Sequence, residues 1–218
     1  MTTFQHRLEA IYRLTGDHQV VGWEFFAGPG RQIAPHGAAA YFRDHPRPDI
    51  LDCQLLGVAA RLRQHHVHQF ITVNLTPATL ISDHFWEKAE LRWDGVVLEL
   101  SETGPLPRDP VTLSRISDWR ARGGKLAFDD LGAGHSRLVE LAIYRPEYVK
   151  LDVDLTHAVT TYPASAAARM VAELARTETE VIAEGVLDAA EAETLAGIGV
   201  RYGQSHTYPL RTVSTVQK

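Results

Sequence analysis

The sequence predicts an α/β fold, a (β/α)8 TIM-like barrel whose first two strands are antiparallel. Three observations predict it. Eight short β-rich runs alternate with helical stretches along 218 residues. The later runs, such as VVLEL and EVIA, are continuously apolar, as strands buried on both faces of a helix-covered parallel sheet are. Polar residues also fall repeatedly at the same end of these runs, the end where barrels build their sites.

The first two runs, residues 10–14 and 20–26, are joined by LTGDHQVV. That link is too short for a crossover helix and reads as a hairpin, hence the antiparallel start. Further strands are expected at 70–75, 95–100, 125–128, 148–151, 181–183 and 200–203. Helical patterns lie between them at 50–64, 77–88, 110–122, 136–143, 164–177 and 189–198. Glycines close two of these helices, in ARGGK and LAGIGV. No linker or repeat divides the chain, so residues 1–218 read as a single domain.

Composition narrows the function. The formal charge is −5, without a long basic stripe, so no duplex nucleic acid is expected as a partner. No apolar run approaches the roughly 20 residues that span a bilayer, and the N-terminus lacks a signal peptide's apolar segment. The chain reads as cytoplasmic, with no membrane association. Its single cysteine, Cys53, excludes an internal disulfide and reads as a packed helical side chain.

The strand ends carry the chemistry. Glu24 stands in VVGWEFF, Asn74 in ITVNL, Glu99 in VVLEL, and Asp129 with Asp130 in LAFDD. Lys150 comes next in YVKLD, then Glu184 in VIAEG and Gln204 in RYGQS. From Asn74 onward the intervals to Glu99, Asp129, Lys150 and Glu184 are 25, 30, 21 and 34 residues, each about one strand plus one helix. A single acid after a strand is commonly a helix cap; seven successive polar strand ends point to a site. The donors Glu24, Asn74, Glu99, Asp129, Asp130 and Glu184 are all oxygen, which suits Mg²⁺ or Mn²⁺ and not zinc. Adjacent carboxylates about 4 Å apart repel by roughly 4 kcal/mol at an effective dielectric of 20. Two divalent ions would offset that repulsion and define a two-metal hydrolase. Lys150 would then orient or help deprotonate the attacking water.

These residues also carry a resemblance. GWEFF, VNLTPATL, LELSET, FDDLGAGHS, YVKLD, VIAEGV and YGQSHTYPL occur in the order found in EAL domains, from about Leu8 to Leu210. The chain resembles that family, which hydrolyses the bacterial second messenger cyclic di-GMP. The resemblance implies the six metal ligands above, two Mg²⁺ or Mn²⁺ ions, inhibition by Ca²⁺ and linear pGpG as product. It also implies that Lys150 and Gln204 serve the water and metals, that Asp130, Gln204 and Phe26 meet substrate, and that Glu102 anchors the loop 131–136. The signature Glu-Ala-Leu reads Glu24-Phe25-Phe26 here. The family's phosphate-binding arginine falls at Gly28, and its Tyr-Gln-Pro segment aligns with Leu8-Glu9-Ala10, putting a negative charge near an anionic ligand. The alternative to an active phosphodiesterase is therefore a catalytically silent EAL protein that binds cyclic di-GMP or a protein partner. A homodimer contact stays open.

Other features read as structural. The histidines of RQHHVHQF suit a helix end better than a zinc site. Trp86 and Trp93 suit exterior packing, whereas Trp23 and Tyr208 are expected nearer the site rim, where a guanine could stack. His135 lies in the loop beside the proposed site.

Overall fold

The computed structural model describes residues 4–29, 45–66, 68–88, 92–101, 104–133 and 137–207. Eight strands succeed one another in chain order round a closed barrel. They are β1 (Phe4–Arg13), β2 (Val20–Pro29), β3 (Phe70–Leu75), β4 (Val96–Leu100), β5 (Lys125–Leu131), β6 (Tyr148–Leu151), β7 (Glu180–Ala183) and β8 (Tyr202–Gly203). β1 is antiparallel to β2 and to β8, and its hairpin closes with Arg13 N–H donating to Gln19 O at 2.9 Å. β1 begins at Phe4, earlier than the expected start at residue 10. The alternation of Leu8, fully buried, with the polar Arg7 and Glu9 carries the strand backwards.

The helices are α1 (Pro48–His65), α2 (Asp83–Lys88), α3 (Pro110–Ala121), α4 (Leu138–Tyr144), α5 (Val153–Thr161), α6 (Ala166–Ala175) and α7 (Ala189–Gly197). Two differ from expectation. The pattern over 77–88 is a 3₁₀ turn, Pro77–Ile81, then α2, because Ser82 adopts an extended conformation between them. No sequence pattern predicts α5. Its VDLTHAVTT sequence is rich in β-branched residues, which are poor helix formers, but Asp152 caps it by accepting from Leu155 N–H at 2.8 Å.

The chain falls into two compact units, residues 4–9 with 23–125, and residues 10–22 with 126–207. In the first, β3 and β4 pair in parallel, bringing Asn74 opposite Glu99. Leu51, Leu55, Leu56 and Ala59 of α1 are buried with Ile71, Val73 and Leu75 of β3. Trp93 stacks on Trp119 at 5.3 Å, and the Trp119 indole N–H donates to Lys125 O. In the second unit, β6, β7 and β8 pair in parallel, and β5 pairs with β6 through a register shift between Phe128 and Leu131. Val149, Leu151, Val181, Ile182, Val159, Val171 and Leu195 form its core.

Candidate metal centre

The irregularity in β5 explains how neighbouring aspartates reach one place. Successive side chains of a regular strand point to opposite faces. At the bulge, Asp130 takes φ +54°, a left-handed conformation that Asp tolerates better than most residues. One oxygen from each of Asp129, Asp130 and Glu184 then lies within 4.8 Å of the others. Two residues on, Gly132 has φ +119°, and a Cβ there would lie 2.6 Å from Asp152 Oδ1 and 2.8 Å from Leu155 Cβ. Only glycine fits that position, so the exit from β5 runs tight against α5.

Glu184 is placed by the ends of its neighbours. Its N–H donates to Leu151 O at 3.1 Å, while Gln204 N–H donates to Ala183 O at 2.8 Å. Val186 N–H returns to Gln204 O at 3.0 Å, so the backbones beyond β6, β7 and β8 are bonded in sequence. Gly185 turns the chain at φ +67°, where a Cβ would meet Val153 at 2.9 Å. His157 Nε2 contacts Gly185 O at 3.1 Å from α5. Gln204 itself is buried at the end of β8.

Lys150 lies across the cluster. Its side chain is 1% exposed, with Nζ 3.1 Å from Asp129 Oδ1 and 2.6 Å from Glu184 Oε1. A buried ammonium is costly to hold unless opposed by charge, and here two carboxylates oppose it. The three carboxylates lie close enough to share one ion and offer oxygen donors, the ligand type that hard divalent cations take.

The first unit holds the other predicted residues. Glu24 on β2 is 4% exposed and Glu99 on β4 is wholly buried, while Asn74 on β3 is half-buried and in register with Glu99. Phe26 lies two residues beyond Glu24, on the same face of β2, with Arg7 Cζ 5.0 Å from its ring centre. Glu102, His135 and Tyr208 lie outside the described residues, as does the end of the loop 131–136. Trp23 corrects an expectation. It is buried, its indole N–H donates to Gln69 Oε1 at 2.7 Å, and its ring packs on His66 at 5.5 Å. It therefore belongs to the end of β2 near α1's C-terminus and is closed to a guanine.

Sequence patterns alone miss a clamp on the exit from β3. Asp52 Oδ2 accepts from Thr76 N–H, Thr76 Oγ1 and Thr79 Oγ1 at 3.1, 3.1 and 2.7 Å. One turn earlier on α1, Asp49 accepts from Ser82 Oγ at 2.8 Å and from Arg47 through a two-bonded fork. Both ends of the 3₁₀ turn after Asn74 are thus tied to α1. Burial pushes the Asp52 carboxyl up to about 6 against the pull of those hydrogen bonds. Hydrogen bonding by Arg47 holds Asp49 well below the usual carboxylate range. An acidic pair three residues apart at the start of an apolar helical run is the only signal of the clamp in the sequence.

The family model of the EAL domain matches residues 25–204. The chain belongs to the EAL domain family. PdeR of Escherichia coli K12, named a cyclic di-GMP phosphodiesterase, is 26% identical over 166 residues, 71% of this chain and 25% of PdeR. The chain spans about a quarter to a third of the length of the curated relatives it matches. Among solved structures, an EAL domain protein of Listeria monocytogenes EGD-e is similar at a TM-score of 0.80, with 17% identity, over 97% of this chain and 89% of that one. A manganese and cyclic di-GMP complex of BlrP1 from Klebsiella pneumoniae matches at a TM-score of 0.69, with 24% identity, over 94% of this chain and 57% of that one. These likenesses show the EAL barrel fold. Among the described residues, no helix is long and apolar enough to cross a membrane.

Proposed function

We propose that this EAL domain hydrolyses one phosphodiester bond of cyclic di-GMP, giving linear pGpG, with two Mg²⁺ or Mn²⁺ ions as cofactors. The observation that carries the reading is the gathering of Asp129, Asp130 and Glu184, with Lys150 paired to Asp129 and Glu184. Asp129, Asp130 and Glu184, with Glu24, Asn74 and Glu99, would hold the ions. Bound there, the ions would supply Lewis-acid polarisation of the phosphoryl group and a more acidic water.

The chain's own residues have separate tasks. Lys150 Nζ, set between Asp129 and Glu184, orients the water along the line of the scissile bond, and in-line placement accounts for much of such catalysis. The water oxygen forms the new bond to phosphorus as the bond to the ribose 3′-oxygen breaks. That oxygen leaves with a proton as the 3′-hydroxyl of pGpG. Gln204 lines the site beside the water, and Phe26 offers an apolar surface to the nucleotide. The relatives named as cyclic di-GMP phosphodiesterases support the choice of substrate.

The test is product analysis with cyclic di-GMP. We expect pGpG in Mn²⁺ or Mg²⁺, none in excess chelator, and loss of turnover to background in Glu24→Gln and Asp129→Asn. Binding without product at high protein concentration would replace the enzyme with a nucleotide receptor. Neither binding nor turnover would leave a protein partner as the function.

A further inference from the structure

We infer that Arg7 supplies a phosphate-binding guanidinium to the nucleotide site, and that Glu9 restrains it until an anionic ligand arrives. The inference deepens the proposed function and rests on it.

Faces on the first two strands assign the position. His6 packs on Phe25, with ring centres 5.8 Å apart, so these residues share one face of the β1–β2 pair. Arg7 lies over the ring of Phe26, which places Arg7 and Phe26 on the opposite face. Two-residue periodicity adds Glu9 on β1 and Glu24 on β2 to the face of Arg7. An arginine on β1 therefore stands beside the strand position of Glu24, one of the residues proposed to hold metal.

The chemistry of the group fits a phosphate. The guanidinium is planar and permanently charged, and carries five donors that match phosphate oxygens two at a time. Arg7 is bonded to Glu9 through Nη2, and its side chain remains 28% exposed while that of Glu9 is 15% exposed. Arg7 Nε is buried and meets no hydrogen-bond partner among the described residues. A buried donor without an acceptor is unfavourable, a cost that a phosphate oxygen would remove. Phe26 backs the guanidinium with its ring face, an arrangement that favours arginine over lysine. Glu9, read from sequence alone, is a negative charge that repels the substrate. Paired with Arg7, it becomes a local acceptor that a doubly charged nucleotide displaces.

The experiment compares steady-state KM and kcat for cyclic di-GMP in Mn²⁺, and calorimetric Kd for cyclic di-GMP in Ca²⁺, across wild type, Arg7→Ala, Arg7→Lys and Glu9→Gln. Arg7→Ala should raise KM and Kd by about tenfold or more, as expected for a lost charge-assisted phosphate contact, with kcat within about twofold. Arg7→Lys should recover part of the loss. Glu9→Gln should shift KM and Kd the other way, to tighter binding, which no general loss of folding produces. If the wild type turns over and both Arg7→Ala and Glu9→Gln leave KM and Kd unchanged, the inference is wrong and the proposed function stands. If the wild type neither binds nor cleaves cyclic di-GMP, both fall together.

Discussion

Asp130 holds a backbone conformation that most residues avoid, at φ +54°. Left-handed geometry costs a non-glycine residue roughly 1–2 kcal/mol, less for Asp, and such strain persists where a site requires it. Asp130→Gly should therefore raise the thermal midpoint by about 2–4 °C, the shift that 1 kcal/mol produces in a chain of this size, while weakening Mn²⁺ binding measured by calorimetry. Unchanged Mn²⁺ affinity would remove Asp130 from the ligand set. Gly132→Ala should do the reverse of stabilising. Its Cβ would press on Asp152 and Leu155 at 2.6 and 2.8 Å, and a loss of about 2–4 kcal/mol is expected in denaturant unfolding. The two aspartates were legible in the sequence as a site. The sequence also set them at one place, but not the means, because strand alternation sends neighbours apart and the bulge that turns Asp130 appears only in the register between β5 and β6.

Elements were legible where periodicity and punctuation agreed. β3 and β6 match the expected bounds, residues 70–75 and 148–151, since each is a short apolar run with clear ends. α5 escaped because its β-branched residues argue against a helix, and Asp152, which caps it, sits in the sequence as the last residue of the strand motif YVKLD. The clamp from α1 to the 3₁₀ turn is tertiary and had no local pattern beyond two acids. It makes a prediction about pH. The Asp52 carboxyl is raised, so the folded protein binds its proton more tightly than the unfolded chain. Its contribution to stability is present below the ordinary carboxylate value near 4 and is lost as pH rises through about 6. The loss amounts to roughly 3 kcal/mol for two pKa units. In Asp52→Asn, whose side-chain oxygen can still accept from Thr76 and Thr79, the fall in stability between pH 4 and 7 should be flattened by about that amount. An unaltered profile by denaturant titration would assign the titration elsewhere.

At the scale of the whole molecule, the count of strands and the antiparallel start were legible because eight runs and one short link sufficed. Burial of Trp23 was not, since the sequence could place it only near Glu24 and not against Gln69 and His66. The carboxylates predict a response of the entire fold to metal. An ion that binds only the folded state stabilises it by about 2.7 kcal/mol at a hundred times its Kd. Mn²⁺ should therefore raise the thermal midpoint by several degrees, and Asp129→Asn should abolish the shift. Equal shifts in both proteins would place the ion elsewhere. Cys53 brings a practical benefit. It is the one thiol in 218 residues, and burial pushes it up to about 11, so at neutral pH it stays almost wholly uncharged and slow to alkylate. A cysteine introduced at exposed Leu187 would outcompete it for a maleimide dye, giving a single-colour reporter on the native background without first deleting the natural sulfur.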